Sequence, residues 1–240
     1  MSGISKYYGG VRKKRLANMS IAVLTIVAVL VVLITIYGQH VGNFVVAIET
    51  ASQLILVLSE TPGFEKPTSR LAAKGLTDQT NITYADIPKD ELLLGNGSLN
   101  DEILRRYFAY SFYVKNVSTT PIDYSAEIVL NHSSQNAESA LRIMVISDEG
   151  ERIYAKAKEF PESEVGKPED HAGTDIERNY GTVPFESLTR LVNQQSQRFR
   201  KDAVRKYTIV MWLEGWDNEC TDEIRGAIMR MEMRFKAYRE

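Results

Sequence analysis

The feature that most constrains this chain is an uncharged run near its N-terminus, residues 19–37, with the sequence MSIAVLTIVAVLVVLITIY. An α-helix rises about 1.5 Å per residue, so a helix of this run would be roughly 28 Å long, close to the ~30 Å hydrocarbon core of a bilayer. Inside lipid, a single segment satisfies its own backbone hydrogen bonds only as a helix. The run therefore predicts one transmembrane helix over residues 19–37.

Basic residues flank this run on one side only. Lys6 and a basic cluster precede it, and the first Lys or Arg after it is Lys66. The basic cluster comprises Arg12, Lys13, Lys14 and Arg15. Because basic residues beside a membrane span stay in the cytoplasm, they predict a cytoplasmic tail over residues 1–18 and an extracellular domain over residues 38–240. The predicted location is the cell membrane, which the chain crosses once.

A cleaved signal peptide is the alternative to an uncleaved anchor. Signal peptides usually have an apolar region of about 7–15 residues, followed by a cleavage site in which two small residues are separated by one residue of any type. The present run is longer, and the residues Tyr37-Gly38-Gln39-His40 at its end make a poor cleavage site. The sequence favours the anchor, and a cleaved, secreted chain stays open as the alternative.

The charge of the chain is unevenly distributed. The formal net charge is −2, but residues 1–37 hold five of the 29 basic residues and no acidic ones, which leaves 24 bases against 31 acids, a net −7. A negatively charged domain disfavours binding to nucleic acid and close contact with anionic lipid.

The single cysteine, Cys220, excludes an intramolecular disulfide, which is typical of a bacterium that exports few disulfide-bonded proteins.

Beyond the apolar run, hydrophobic residues alternate with a period of two, which is typical of β-strands. The clearest predicted strands are residues 106–115, 122–130, 141–147, 152–157, 206–213 and 227–235. Asp-Glu-Gly-Glu at 148–151 predicts a hairpin, and residues 49–52 predict another between the apolar runs at 43–49 and 54–59. Many short strands joined by turns predict a mainly β fold, an antiparallel two-sheet sandwich.

Two of the predicted strands carry large side chains that should meet in the core. The strand at 106–115 has aromatic residues on both faces. This predicts a central strand buried on both sides, and a contact surface for another subunit is the alternative. The last strand places Met229, Met231, Met233 and Phe235 on one face. We expect that face to pack against the aromatic strand.

Helical spacing is confined to two segments. Residues 86–94 predict a short helical turn, and residues 184–200 place four apolar residues at helical spacing. These four are Leu188, Leu191, Val192 and Phe199. Residues 160–182 are rich in Pro, Gly and acidic residues without any period, which predicts an exposed loop. Loop and helix together predict a long insertion in the sandwich at about residues 160–203.

Several segments of residues 40–240 resemble a group of uncharacterised membrane-anchored surface proteins of Gram-positive bacteria. The segments are 58–67 (LSETPGFEKP), 97–100 (GSLN), 107–116 (YFAYSFYVKN), 140–146 (ALRIMVI) and 207–222 (YTIVMWLEGWDNECTD). The aromatic strand that ends in Lys115-Asn116, with its turn and paired strand, is also similar to the TasA/camelysin class. That resemblance implies a jelly-roll-like sandwich located at the cell surface or in matrix fibres. The long anchor and the motif Trp212-Leu213-Glu214-Gly215 depart from that class.

An acidic loop, residues 214–223 (EGWDNECTDE), separates the last two predicted strands. Clustered carboxylates in a turn are ligands that Ca²⁺ prefers, which makes Glu214, Asp217 and Asp222 candidate calcium ligands. However, the loop lacks the fixed alternation and the glycine of an EF-hand. Acidic residues also keep strand ends soluble without any metal. The sequence therefore predicts a solvated acidic turn without a metal, and calcium at these three carboxylates is the alternative.

Residues with catalytic potential form no recognisable motif. Cys220 lies near Glu219 and Asp222, whose negative charges should raise the pKa of the thiol and weaken it as a nucleophile. The histidines of the chain are His40, His132 and His171. Their spacing is not that of zinc ligands, and no HExxH, GxSxG or SxxK motif occurs. We expect no catalytic residue and no cofactor.

Trp212 and Trp216 flank the Glu214-Gly215 pair near the end of a predicted strand. Two tryptophans can form a platform on which sugar rings stack, which would suit a cell-wall binder. The commoner outcome is one tryptophan in the core and one over a loop, because a large ring gains most from burial. We expect the second arrangement, with carbohydrate binding as the alternative.

These observations predict a non-enzymatic, membrane-tethered cell-surface protein with a structural or adhesive role. One version of this hypothesis places that role in the extracellular matrix. A wall-binding or ligand-sensing ectodomain is the main alternative, and a cleaved, secreted fibre subunit is the other. The predicted partners are the lipid bilayer, through the N-terminal helix, and a surface or matrix protein. Nucleic acid is not an expected partner.

Overall fold

The structure is a computed structural model, and it describes residues 24–29, 44–75, 79–156, 182–215, 217 and 219–238. The chain divides into two compact units, Met1–Val41 and Gly42–Glu240. In the first unit, residues 24–29 form a helix, α1. Within the described ranges, no helix is both long enough and apolar enough to cross a membrane. The remainder of the predicted span and the basic cluster at 12–15 lie outside these ranges.

The second unit is mainly β-structure. Its described strands are β1 (Phe44–Ile48), β2 (Leu56–Ser59), β3 (Arg70–Ala73), β4 (Gly97–Ser98), β5 (Tyr107–Asn116), β6 (Ile122–Ser133), β7 (Leu141–Ser147), β8 (Gly150–Ala155), β9 (Thr182–Pro184), β10 (Arg190–Phe199), β11 (Val204–Leu213) and β12 (Met229–Tyr238). One sheet has five strands in the order β10-β6-β12-β1-β3. The other has seven, in the order β2-β5-β11-β7-β8-β9 with β4 beside β5. The predicted β-rich, sandwich-like fold is confirmed.

Both sheets are mixed, which corrects the prediction of a purely antiparallel sandwich. β1 runs parallel to β12, with Phe44 opposite Met231, and β8 runs parallel to β9. A parallel pair needs a long connection between its strands, because the chain must return to the same end of the sheet. β1 and β12 satisfy this condition since they are the first and last strands, and residues 156–181 separate β8 from β9.

Of the two predicted hairpins, one is confirmed and one is wrong. β7 and β8 pair antiparallel around the predicted turn, with Ser147 opposite Gly150. The hairpin predicted at residues 49–52 does not form, because β1 and β2 belong to different sheets. β1 is already paired with β12 and β3 on its two sides, so β2 pairs with β5. A 3₁₀ turn, Thr50–Ser52, connects the two strands.

The helix predicted at residues 184–200 is also wrong, since this segment contains most of β10. β10 pairs with β6 and has register shifts between Arg190 and Val192 and between Ser196 and Phe199. Each β-bulge inserts one extra residue and shifts the alternation of side chains. Leu191 and Val192 are therefore both buried although they are adjacent, and this spacing imitates a helix. Residues 157–181 of the predicted insertion lie outside the described ranges.

The main core lies between the two sheets. The inward face of β12 packs on the aromatic strand β5, as predicted, with the rings of Phe235 and Phe112 edge to face at 6.0 Å. Tyr207 of β11 adds a second ring beside them, 5.4 Å from Phe235. The C-terminal strand is thus part of the core and not an exposed tail.

The outer face of the seven-stranded sheet is covered as well. Residues 82–92, which include the 3₁₀ turn Tyr84–Asp86 and the start of helix α2 (Lys89–Leu94), pack on Tyr107, Ala109 and Trp212. The predicted helical turn at residues 86–94 is confirmed. Because the two sheets enclose one face of β5 and this segment covers the other, β5 is buried on both sides, as expected.

Candidate functional site

The strand registers bring five apolar side chains together at one end of the sandwich. Phe44 begins β1 and lies opposite Met231, near the start of β12. In the other sheet Phe108, near the start of β5, lies opposite Met211, near the end of β11. Leu141 is the first residue of β7. All five side chains belong to the main core and are buried, so this end of the sandwich has an apolar floor.

A pocket of about 770 Å³ lies over this floor, and we call it the end pocket. Its opposite wall comes from a smaller apolar cluster that includes Ala137, Ile224, Cys220 and Met229. Its polar lining residues are Gln79, Thr80, Asn81, Thr221, Asp222, Arg225 and Arg230. An apolar cavity of 300–1,000 Å³ with a few polar groups is the usual form of a small-molecule site.

The floor contains a ring contact between the two sheets. Phe44 and Phe108 come from different sheets, and their rings meet edge to face with centroids 5.4 Å apart. Three methionines, Met211, Met229 and Met231, also line the pocket. Methionine side chains are unbranched and polarisable, so they adapt to ligands of irregular shape. The pocket therefore combines a packed aromatic pair with adaptable methionine side chains.

Two arginines supply positive charge at the opening. Arg225 and Arg230 both line the end pocket and are both exposed. Among the residues that the structure describes, neither makes an ion pair. Arg225 follows the 3₁₀ turn Asp222–Ile224, and Gly226, with φ +76°, turns the chain from there toward β12. Both arginines therefore add positive charge to the lining of the pocket.

The acidic loop beside the pocket has a structural core. Glu214 directly follows the last residue of β11. Its carboxylate accepts a hydrogen bond from the indole Nε1 of Trp212 at 3.0 Å. Both residues are buried. Glu214 also forms a parallel bridge to Ile82, in the segment that covers the outer face of the sheet. The backbone at Glu214 thus helps to attach that segment, while its carboxylate holds the indole of Trp212.

Asp217 is the second buried carboxylate of the loop. Its Oδ2 accepts a hydrogen bond from Nη2 of Arg142 on β7 at 2.8 Å, and both side chains are almost completely buried. A buried charge is costly unless an opposite charge and hydrogen bonds compensate it. The pair therefore fixes the loop to the seven-stranded sheet.

The three calcium candidates differ in their surroundings. Glu214 and Asp217 each accept a hydrogen bond from a protein donor, whereas Asp222 is exposed at the rim of the end pocket. Within the described ranges, no group of three or more His, Cys, Asp and Glu side chains is placed to hold a metal ion. Glu214 and Asp217 are buried, so of the three candidates only Asp222 lies in a solvated turn as predicted. Calcium at these carboxylates stays the alternative that the sequence left open.

Cys220 lies in the wall of the end pocket and is half-buried. Burial raises the pKa of its thiol, and the negative charges of Asp217 and Glu214 raise it further, while a hydrogen bond from Asn81 lowers it. The direction agrees with the sequence prediction, but the responsible carboxylates are these two and not Glu219 and Asp222. The thiol is a poor nucleophile at neutral pH.

The tryptophans and histidines are placed as follows. Trp212 is 1% exposed, and its ring lies in the apolar cluster on the outer face of the sheet, 6.3 Å from that of Tyr84. A stacking platform that uses Trp212 is therefore excluded, and Trp216 lies outside the described ranges. His132 is exposed on β6. His40 and His171 also lie outside those ranges.

Sequence reasoning missed the end pocket. Met229 and Met231 were assigned to a core face by their alternation, but nothing local indicated that Phe44 would lie beside Met231. The local signal was limited to two internal turn segments with polar residues, 79–81 and 220–228, each of which lies next to an apolar strand. Comparisons with protein-family models, curated proteins and solved structures found no match for this chain.

Proposed function

We propose that this chain is a non-enzymatic, membrane-tethered cell-surface protein, with residues 1–18 in the cytoplasm, an anchor at 19–37 and an extracellular β-sandwich domain. The asymmetry of charge around the uncharged run carries this proposal. The proposed role is structural or adhesive, through a surface or matrix protein partner. The finer resemblance to jelly-roll proteins of the TasA/camelysin class is part of the same proposal.

The environment of the reactive side chains supports a non-enzymatic role. Asp217 and Glu214 bond to Arg142 and Trp212 inside the domain, and burial raises the pKa of the Cys220 thiol. Catalytic groups generally have their pKa values moved toward the working pH and remain accessible to substrate. The two carboxylates instead bond to groups inside the domain, and the thiol is held protonated.

Protease protection tests the proposed topology. Protease is added to intact cells from which the wall has been removed, and fragments are identified by mass spectrometry. We expect digestion of the domain beyond residue 42 and survival of a small fragment that contains residues 12–37. Digestion of the basic tail with survival of the domain would reverse the orientation. N-terminal sequencing of any released protein distinguishes the secreted-fibre alternative, which requires a mature chain that starts near residue 40.

A ligand-binding ectodomain is the second candidate function, and the end pocket favours it. The pocket has the size of a small-molecule site and an apolar floor with polar groups around it, and its lining includes the exposed Arg225 and Arg230. Ligand binding is compatible with membrane tethering, because a tethered domain can report or retain a ligand at the cell surface. Native mass spectrometry of protein purified from its own membranes tests this candidate by detecting a co-purified small molecule.

A further inference from the structure

We propose that the end pocket binds a single-chain anionic amphiphile. The hydrocarbon chain occupies the pocket, and the charged head contacts Arg225 and Arg230. This inference deepens the second candidate function and rests on it. Three features of the pocket carry the inference: its floor, its charged rim and the exposed apolar side chains around its opening.

The floor suits a hydrocarbon chain. Phe44, Phe108 and Met211 are each at most 5% exposed, and they close the pocket from the side of the core. Met229 and Met231 line the β12 side. Each methylene group that moves from water onto such a surface favours binding, and the effect is proportional to the area buried. A polar ligand such as a sugar would gain little from this floor.

The rim suits an anionic head. The charged residues that line the pocket are Arg225, Arg230 and Asp222. The rim is therefore net positive, although residues 38–240 as a whole are acidic. A guanidinium group binds carboxylate or phosphate oxygens with two parallel, charge-assisted hydrogen bonds. Two arginines without an ion pair in the described part of the chain complement such a head.

Exposed apolar side chains border the same opening. Ile228 lines the pocket and is 51% exposed. Thr80, another lining residue, donates a hydrogen bond from Oγ1 to the carbonyl of Leu104 at 2.9 Å, so the exposed residue Leu104 is attached to the lining through its backbone. Contiguous exposed apolar residues mark sites where an apolar ligand or a lipid surface approaches. A domain tethered to a bilayer meets amphiphiles of this kind.

Cys220 provides a direct probe of occupancy, because it is the single cysteine of the chain and lines the pocket. The full-length chain is placed in phosphatidylcholine nanodiscs, and the rate of alkylation by a fluorescent maleimide is measured with hexadecanoate or hexadecanol. We expect hexadecanoate to slow alkylation about tenfold, because the occupied pocket shields the thiol. Hexadecanol should protect about tenfold less well at equal concentration, since it lacks the charged head.

Two control variants separate the pocket from general effects. Arg225→Gln combined with Arg230→Gln should require about tenfold more hexadecanoate for the same protection. Arg200→Gln with Lys201→Gln removes two exposed charges near Asn116, at the other end of β5, and should leave protection unchanged. In the Cys220→Ser background, Thr119→Cys places a thiol at that distant end, where hexadecanoate should not alter the alkylation rate.

The remaining outcomes identify the source of the amphiphile or overturn the proposal. Slow alkylation in nanodiscs doped with lysophosphatidylglycerol, without added acid, identifies a membrane lipid, and protection by hexadecanoate alone identifies a free carboxylate. Equal protection by hexadecanol, or no protection by any of these molecules, overturns the proposal. The alkylation result is independent of the protease test. If the protease test shows a reversed topology but hexadecanoate still protects Cys220, the amphiphile site stands and only the extracellular location is wrong.

Discussion

The guanidinium of Arg142 lies 2.8 Å from the carboxylate of Asp217, and this buried ion pair joins the acidic loop to β7. The two residues are 75 positions apart in the chain. The loop also contributes Cys220 and Asp222 to the end pocket. The ion pair therefore helps to hold one wall of the candidate site in place.

Removing the negative charge of this pair should destabilise the domain. Asp217→Asn removes the negative charge that the Arg142 guanidinium contacts in the interior, and breaking a buried pair in this way costs about 3–5 kcal/mol of the free energy of unfolding. Urea denaturation followed by tryptophan fluorescence measures the loss. Asp222→Asn, at an exposed position of the same loop, is the matched control and should change stability by less than about 0.5 kcal/mol. Equal effects of the two variants would contradict a structural role of the pair.

The C-terminal strand should contribute strongly to the core. Phe235 is fully buried and contacts the rings of Phe112 and Tyr207. Phe235→Ala removes these contacts and leaves a cavity, which should lower the free energy of unfolding by about 3–5 kcal/mol. The neighbouring Lys236 is exposed on the other face of β12, so Lys236→Ala should cost well under about 1 kcal/mol. A small effect of Phe235→Ala in the same denaturation assay would count against a core position for β12.

Two tyrosine hydroxyl groups should make stability depend on alkaline pH. The hydroxyl groups of Tyr124 and Tyr207 lie 2.8 Å apart in the core, and burial is the main factor that raises the pKa of both. In the unfolded chain these groups ionise near the usual tyrosine pKa of about 10, so above that pH the unfolded state holds fewer protons than the folded state. Their contribution to stability is therefore present below pH ~10 and is lost as the pH rises.

Tyr207→Phe should weaken that dependence. We expect the free energy of unfolding to fall less steeply above pH ~10 in the variant, by up to about 1.4 kcal/mol per pH unit. At neutral pH the loss of one hydrogen bond should cost about 0.5–1.5 kcal/mol. Denaturation curves at pH 7 and at several pH values above 10 measure both effects. An unchanged slope would show that Tyr207 does not stay neutral in the folded state.

The thiol of Cys220 should react slowly with maleimide. Burial and the nearby Asp217 and Glu214 raise its pKa, so a smaller fraction is thiolate at pH 8 than for an ordinary cysteine. We expect the alkylation rate of the folded, ligand-free protein to lie below that of the urea-unfolded protein and to keep rising beyond pH 9. Cys220→Ser should fold normally. A folded-state rate above the unfolded rate would point to an activated thiol.

Short-range sequence patterns predicted the strands well where side chains alternate without interruption. β5 and β12 were recognised because every second residue is large and apolar, and the Asp-Glu-Gly-Glu turn at 148–151 identified the β7–β8 hairpin. The same approach failed for residues 184–200. Two bulges place consecutive residues Leu191 and Val192 inside, and bulges depend on the partner strand β6, which no local pattern contains.

Sheet membership was beyond the reach of local patterns for the same reason. The turn at residues 49–52 has the chemistry of a hairpin, yet β1 pairs with β12 and β3, and β2 joins the other sheet. The pairing of β1 with β12 joins residues at the two ends of the domain. Whether β1 pairs with β2 or with β12 is decided by which arrangement buries the apolar residues of both strands, and a local pattern does not contain that information. This pairing also places Phe44 beside Met231 in the floor of the end pocket.

The sequence by itself determined the β-rich character of the domain, the positions of its regular strands and the uncharged run that predicts an anchor. These properties depend on residues that are neighbours in the chain, through side-chain alternation, turn chemistry and transfer of apolar groups from water. Only the tertiary structure decided that the sheets are mixed, that Asp217 pairs with Arg142 and that an apolar pocket opens beside Cys220. Those features depend on contacts between distant residues, whose free energy is gained only when the whole sandwich closes.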